Sequence, residues 1–234
     1  MLTLGKLWAE WTGMSYLRHF FATLSIAGND EALLREQYRS LTHMIPFLYT
    51  VCIAVSVMLM YIFNLSAPAW LAYYIPGGLA LAMLVRRVYW RNMRDKVDPG
   101  DIARIRRDLR STEILGPVFT FAFTLLGLAL MGYSDLFEQS LSILSIWVTA
   151  IASAFCLAAL PLAAVSVVGS AAVPMILAFA MMGDRRLIIL AVIFLIVSGM
   201  LISMLLESYK RFAEMVQSRT LLDEKQRQTE AARH

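Results

Sequence analysis

Leu187-Ile188-Ile189-Leu190-Ala191-Val192-Ile193-Phe194-Leu195-Ile196-Val197-Ser198-Gly199-Met200-Leu201-Ile202-Ser203-Met204-Leu205-Leu206 is an uncharged run of twenty residues, the length an α-helix needs to cross about 30 Å of hydrocarbon. No Gly or Pro stops it at Leu206; the chain goes on as Glu207-Ser208-Tyr209-Lys210-Arg211-Phe212-Ala213-Glu214. One helix is therefore expected to leave a bilayer and enter water without a break. Such a helix can carry a change in membrane packing into the cytoplasm, and the rest of the chain is read against it.

Composition sets the class. Hydrophobic residues make up 59% of the 234 and charged residues 16%, with a mean hydropathy of +0.64; soluble domains average about a quarter charged residues. The expected fold class is all-α, a polytopic membrane helix bundle with six transmembrane helices. Met1 to Glu10 is charged early and has no uninterrupted apolar core, so internal spans rather than a signal peptide are expected to drive insertion. Cys52 and Cys156 both fall in apolar runs without a CxxC partner and read as packing residues rather than as a disulfide or metal framework.

Residues 1–43 form the first unit. Leu4, Leu7, Trp8 and Trp11 share one helical face opposite Lys6 and Glu10, which suits a helix lying in the headgroup region and equally one packed on a soluble partner or on the protein's own spans. Gly28-Asn29-Asp30 breaks the chain, and Asn29 or Asp30 is placed to cap a helix from Glu31 to His43. The membrane domain, 44–206, is divided into spans at about 44–65, 69–88, 114–132, 141–160, 162–182 and 187–206. Pro46 is placed in the first turn of the first span, where a missing N–H is harmless, and Asn64-Leu65-Ser66-Ala67-Pro68 turns into the second. Between Glu138 and Asp184 lie 45 residues without a charge. A single helix of that length would extend about 67 Å, so two spans are required, hinged at Ala159-Leu160-Pro161-Leu162. Residues 207–234 form a cytoplasmic helix.

Charge decides orientation. The segment from Arg86 to Arg110 holds nine basic residues against four Asp, a net charge of +5. With six spans, nineteen Lys and Arg fall on one side and two, Arg185 and Arg186, on the other. That asymmetry is expected to place both termini in the cytoplasm.

No catalytic motif is present: no Gly-rich phosphate loop, no nucleophile elbow and no carboxylate pair in a common frame. His19, His43 and His234 are isolated, and neither cofactor nor metal is expected. The spans carry Ser and Thr, such as Thr124, Thr149, Ser153, Ser166, Ser170, Ser198 and Ser203, but no mid-membrane charge, which argues against an ion-coupled carrier. Small residues of this kind more often let helices pack closely than bind a ligand. The basic loop of Arg86, Arg87, Arg91, Arg94, Arg104, Arg106, Arg107 and Arg110 reads first as a topology determinant that reaches anionic lipid headgroups, each nearby charge worth about 1 kcal/mol. It reads second as a docking surface for an acidic domain or a nucleotide. No base-reading module accompanies it, so nucleic acid is not an expected partner.

Arg35-Glu36-Gln37-Tyr38-Arg39-Ser40-Leu41-Thr42-His43-Met44-Ile45-Pro46-Phe47-Leu48-Tyr49 resembles the opening of the multi-span membrane region of bacterial GGDEF/EAL proteins, the cyclic-di-GMP signalling group. The Ala67-Pro68 turn, the Arg-rich loop, Phe155-Cys156-Leu157 with Leu160-Pro161, and the exit from Tyr209 to Ser218 are similar as well. The resemblance covers roughly residues 33–230 and implies a sensory input region, in a bacterial inner membrane, for cyclic-di-GMP synthesis or breakdown. His43 and Met44 stand where that pattern has Arg and Gln. No GGDEF or EAL sequence occurs in these residues, so no catalytic residue carries over and the output domain is expected elsewhere.

Two functions follow. The first is an input module relaying a signal through its C-terminal helix to a cytoplasmic output, as a homodimer through Leu205, Phe212, Met215 and Leu222. These belong to a 4-3 stripe that begins at Leu201 and includes Ser208 and Arg219. Glu207 with Arg211 and Asp223 with Arg227 are acid-first pairs that support the exposed helix. The second is a small transport or scaffold protein without an attached enzyme. That reading requires residues 207–234 to be dispensable.

Overall fold

A computed structural model describes residues 31–93 and 101–231. The cap at Asn29 or Asp30, the interfacial helix before it, and Arg94 and Lys96 lie outside the described residues. Six α-helices account for nearly all of the rest: α1 (Glu31–Ile62), α2 (Ile75–Met93), α3 (Ile102–Met131), α4 (Leu136–Cys156), α5 (Pro161–Met182) and α6 (Arg185–Ala231), with a π-helical turn (Trp70–Tyr74) leading into α2. Among the described residues there is no strand.

Among the described residues five helices are long and apolar enough to cross a membrane: α1, α3, α4, α5 and the first 35 residues of α6. The chain is thus a helical, multi-pass membrane protein. α2 has the length, at 19 residues, but carries Arg86, Arg87 and Arg91 in its last two turns. It nonetheless lies antiparallel to α1 along most of its course. A Cβ on Gly77 would come within 3.8 Å of Met60 near the C-terminal end of α1, and the ring of Trp90 lies 5.7 Å from Tyr38 near its N-terminal end.

Several boundaries expected from the sequence fall inside longer helices. α1 runs unbroken for 32 residues, so the expected helix ending at His43 and the first span are one element, with Pro46 in its interior. Pro117 and Pro174 likewise sit within α3 and α5. Where Pro76 follows the second turn, the backbone widens: the Ile75 N–H donates to the Trp70 carbonyl five residues back. A proline has no N–H to return, and a π turn gives its ring room.

The loops opposite the basic segment are fixed by short polar caps. Asp135 Oδ1 accepts from the Glu138 N–H at 2.8 Å and the Ser66 hydroxyl donates to Glu138 Oε1 at 2.7 Å. Gly183 ends α5 at φ +70°, a left-handed cap that a side chain would strain. Asp184 Oδ1 then accepts from the Arg186 N–H to start α6.

The centre is packed with small side chains. Ala163, Ala164, Val167, Val168 and Ala171 on α5 are all fully buried, which lets α3 and α4 approach its backbone closely. The hydroxyls of Thr42, Ser56, Thr112, Thr120, Thr124 and Thr149 each donate to the carbonyl four residues earlier. In hydrocarbon such back-bonding satisfies a group that water cannot reach.

The α4–α5 turn lies inside the bundle: Leu157, Ala159, Leu160 and Pro161 are buried. α1, α3 and α6 continue past it on the basic side. At the opposite end, Phe194 of α6 stacks 4.6 Å from Trp147 and 5.9 Å from Phe179, tying α4, α5 and α6 together.

Candidate functional site: the basic end of the bundle

The described part of the basic segment splits into inward and outward side chains. α2 and α3 touch sparsely along their backbones, each packing instead on α1 or on α5. Three side-chain bridges join them. The Arg86 guanidinium donates to Ser111 Oγ at 3.3 Å, the Tyr89 hydroxyl to Asp108 Oδ1 at 3.2 Å, and the Arg104 guanidinium to Met93 Sδ at 3.0 Å. Successive steps of three or four residues down α2 match equal steps up α3, so the bridges form one antiparallel register on facing helical stripes. Arg86 Nε also donates to the Tyr49 hydroxyl at 3.3 Å, which brings α1 into the same knot.

Behind this register sits a buried polar cluster. Trp90 packs between Tyr38 and Tyr89, 5.7 Å and 6.4 Å from them. Tyr38 OH, Trp90 Nε1 and Asp108 Oδ2 are all buried and have no hydrogen-bond partner. Deeper between α1, α3 and α4 lies a cavity of about 20 Å³ lined by Tyr49, Cys52, Thr112, Gly116 and Ser153 among others. A space of that size holds one water. Cys52 and Cys156 are both buried in the main core.

Of the eight arginines expected to form the basic loop, Arg86 and Arg104 turn into the α2–α3 register and Arg87 is half-buried. Arg91, Arg106, Arg107 and Arg110 are exposed. Arg94 is outside the described residues. Tyr38, Tyr49, Tyr89, Trp90, Asp108 and Ser111 complete the site. Asp108 carried a signal in the sequence, as the lone acid among Arg104, Arg106, Arg107 and Arg110, and Tyr38 and Tyr49 stood within the Arg35–Tyr49 stretch.

The expected dimer residues separate in the same way. Leu205 is 2% exposed and packs in its own chain's core, and Phe212 is half-buried. Met215 and Leu222 are 56% and 61% exposed. Glu207 and Arg211 form the expected i,i+4 ion pair at 2.6 Å on the open face of α6, while the Asp223 and Arg227 side chains lie outside the described residues.

Among the described residues no three His, Cys, Asp or Glu side chains gather as a metal site would require. In comparisons with known proteins, the chain matches no family model, no curated protein and no solved structure.

Proposed function

We propose that this chain is the membrane input module of a bacterial signalling protein, with six crossings and both termini in the cytoplasm. α2 with its π turn supplies the sixth crossing, its arginines reaching the inner headgroups as long basic side chains do. The output is a cytoplasmic domain that makes or degrades cyclic-di-GMP. The likeness of Arg35–Tyr49 and of the Tyr209–Ser218 exit to that group supports the choice of output. The opposing reading, a small transport or scaffold protein, leaves the continuity of α6 without a purpose.

One observation carries the relay. α6 is a single 47-residue helix, and Leu205 within it is buried in the same core as Leu34, Tyr38 and Leu160. A ligand or a bilayer change that shifts the packing of α1 or of the α4–α5 turn must then displace the exit helix, which is the physical content of a relay.

Two copies meet through the exposed stripe Ser208, Arg211, Met215, Ser218 and Leu222, spaced three and four residues apart. The test is a cysteine cross-linking scan from Leu205 to Leu222 in native membranes, in a background lacking Cys52 and Cys156. Intersubunit cross-links should peak at Arg211, Met215, Ser218 and Leu222; a flat profile removes the dimeric relay. Topology is checked separately, with a reporter after Ser134 behaving as external and one after Arg211 as internal.

A further inference from the structure

We propose that the cleft between α2 and α3 binds one anionic phospholipid, its phosphate held by Arg86 and Arg107 and one acyl chain lying along the two helices. The inference depends on the bundle lying in a bilayer and not on any relay through α6.

The headgroup end is built from an arginine that lacks a carboxylate. Arg86 is half-buried, and its hydrogen bonds, both long at 3.3 Å, go to the neutral hydroxyls of Tyr49 and Ser111. No ion pair reaches it among the described residues. A guanidinium has five donors in a planar fork suited to phosphate, so most of its capacity is unspent. Arg107 stands one turn before Ser111, between the inward stripe of α3 and its outward face, and is exposed. Two arginines at the inner membrane edge give a charge match to an anionic headgroup.

The chain end is a set of exposed apolar residues on two helices that touch only sparsely. Arg86–Ser111 is the last of the three bridges, and none joins the helices further toward the middle of the membrane among the described residues. On α2, Gly78, Ala82 and Val85 follow the stripe that leads to Arg86 and Tyr89, and all three are exposed. A Cβ on Gly78 would meet nothing within 4 Å. On α3, Ile114 and Val118 continue the stripe of Arg107 and Ser111, at 59% and 53% exposure. Gly78 and Ala82 leave room on one wall, and Val85, Ile114 and Val118 offer apolar surface within about two turns of Arg86 and Ser111. Phosphate and chain are thus recognised by adjoining surfaces.

The experiment is native mass spectrometry of the full chain in mild non-ionic detergent, titrated with dioleoyl phosphatidylglycerol. One lipid per chain should stay bound at collision energies that strip dioleoyl phosphatidylcholine. Arg86→Gln should weaken retention about tenfold or more, as loss of a charge-assisted contact predicts. Gly78→Phe keeps every charge and fills the cleft, and should weaken retention comparably. Arg185→Gln, at the opposite end of the bundle, should leave it unchanged. Wild-type retention in Arg86→Gln overturns the proposal. So does equal retention of phosphatidylcholine, which marks annular lipid only, or displacement of the lipid by soluble glycerol phosphate, which marks an anion site without a chain. If Arg86→Gln does not elute as a single species, Arg86→Lys and Gly78→Phe decide, and wild-type binding by Gly78→Phe is then sufficient to overturn it.

Discussion

Gln37 and Ala159, 122 residues apart, are joined by a hydrogen bond in which Gln37 Nε2 donates to the Ala159 carbonyl at 3.0 Å. The bond has a clear physical cause. The α4–α5 turn is buried, and the Ala159 carbonyl lies in it, beyond the end of α4, where no backbone N–H among the described residues reaches it. Gln37, itself 2% exposed, supplies the missing donor from α1. Gln37→Leu leaves that carbonyl unpaired in an apolar interior and should destabilise the bundle by about 1–3 kcal/mol. Thermal unfolding in detergent measures this, and an unchanged midpoint would show that the turn is satisfied in another way.

Close packing of α3 on α4 is most acute at Gly127. A Cβ there would come within 2.5 Å of Ile146 Cδ1 and 2.8 Å of its Cγ1, and 3.2 Å from Ser142 Oγ, which donates to the Gly127 carbonyl at 3.0 Å. Gly127→Val should therefore cost about 1–3 kcal/mol through overpacking. Adding Ile146→Ala should recover part of the loss, because it vacates the colliding atoms. Additive losses in the double variant would place the cost elsewhere.

Tyr38→Phe should be close to neutral. Its hydroxyl is buried without a partner, so removing it deletes a desolvated group and no bond; the expected change lies between no effect and about 1 kcal/mol of stabilisation. The ring, packed on Trp90, is kept. A loss above about 1 kcal/mol would mean that the hydroxyl is paired with a water or a ligand in the membrane.

Leu205 and Met215 should part company when truncated. Leu205→Ala opens a cavity in the core and should cost about 2–5 kcal/mol. Met215→Ala removes an exposed side chain, should leave the stability of one chain nearly unchanged, and should lower intersubunit cross-linking at Leu222. If both variants unfold alike, α6 is packed differently from the arrangement described above.

The helical membrane architecture was legible because it rests on long-range composition: the uncharged stretch from Glu138 to Asp184, broken at Pro161, could be nothing but two helices, and α4 and α5 meet there. Boundaries were less legible. Pro46 and the polar run before it looked like the edge of a span, yet tertiary packing of Leu34, Tyr38, Leu41 and Ile45 carries α1 straight through. The basic loop was found as a count of charges, but which arginines turn inward depends on the α2–α3 register, and no local pattern encodes that. Leu205 shows the same limit. The 4-3 spacing is equally satisfied by a partner copy and by the protein's own core, and only the packed bundle distinguishes them.

The length of α6 gives its attachment at Leu205 a mechanical meaning. At 1.5 Å per residue, about 30 Å of helix lie between Arg185 and Leu205 and about 39 Å between Leu205 and Ala231. A stiff rod turning about that point is a lever with unequal arms. Were the rod to pivot there, sideways motion at Arg185 would reappear at Ala231 reversed in direction and enlarged about 1.3-fold. The seat extends beyond Leu205, for Tyr209 and Val216 are buried further along the same helix.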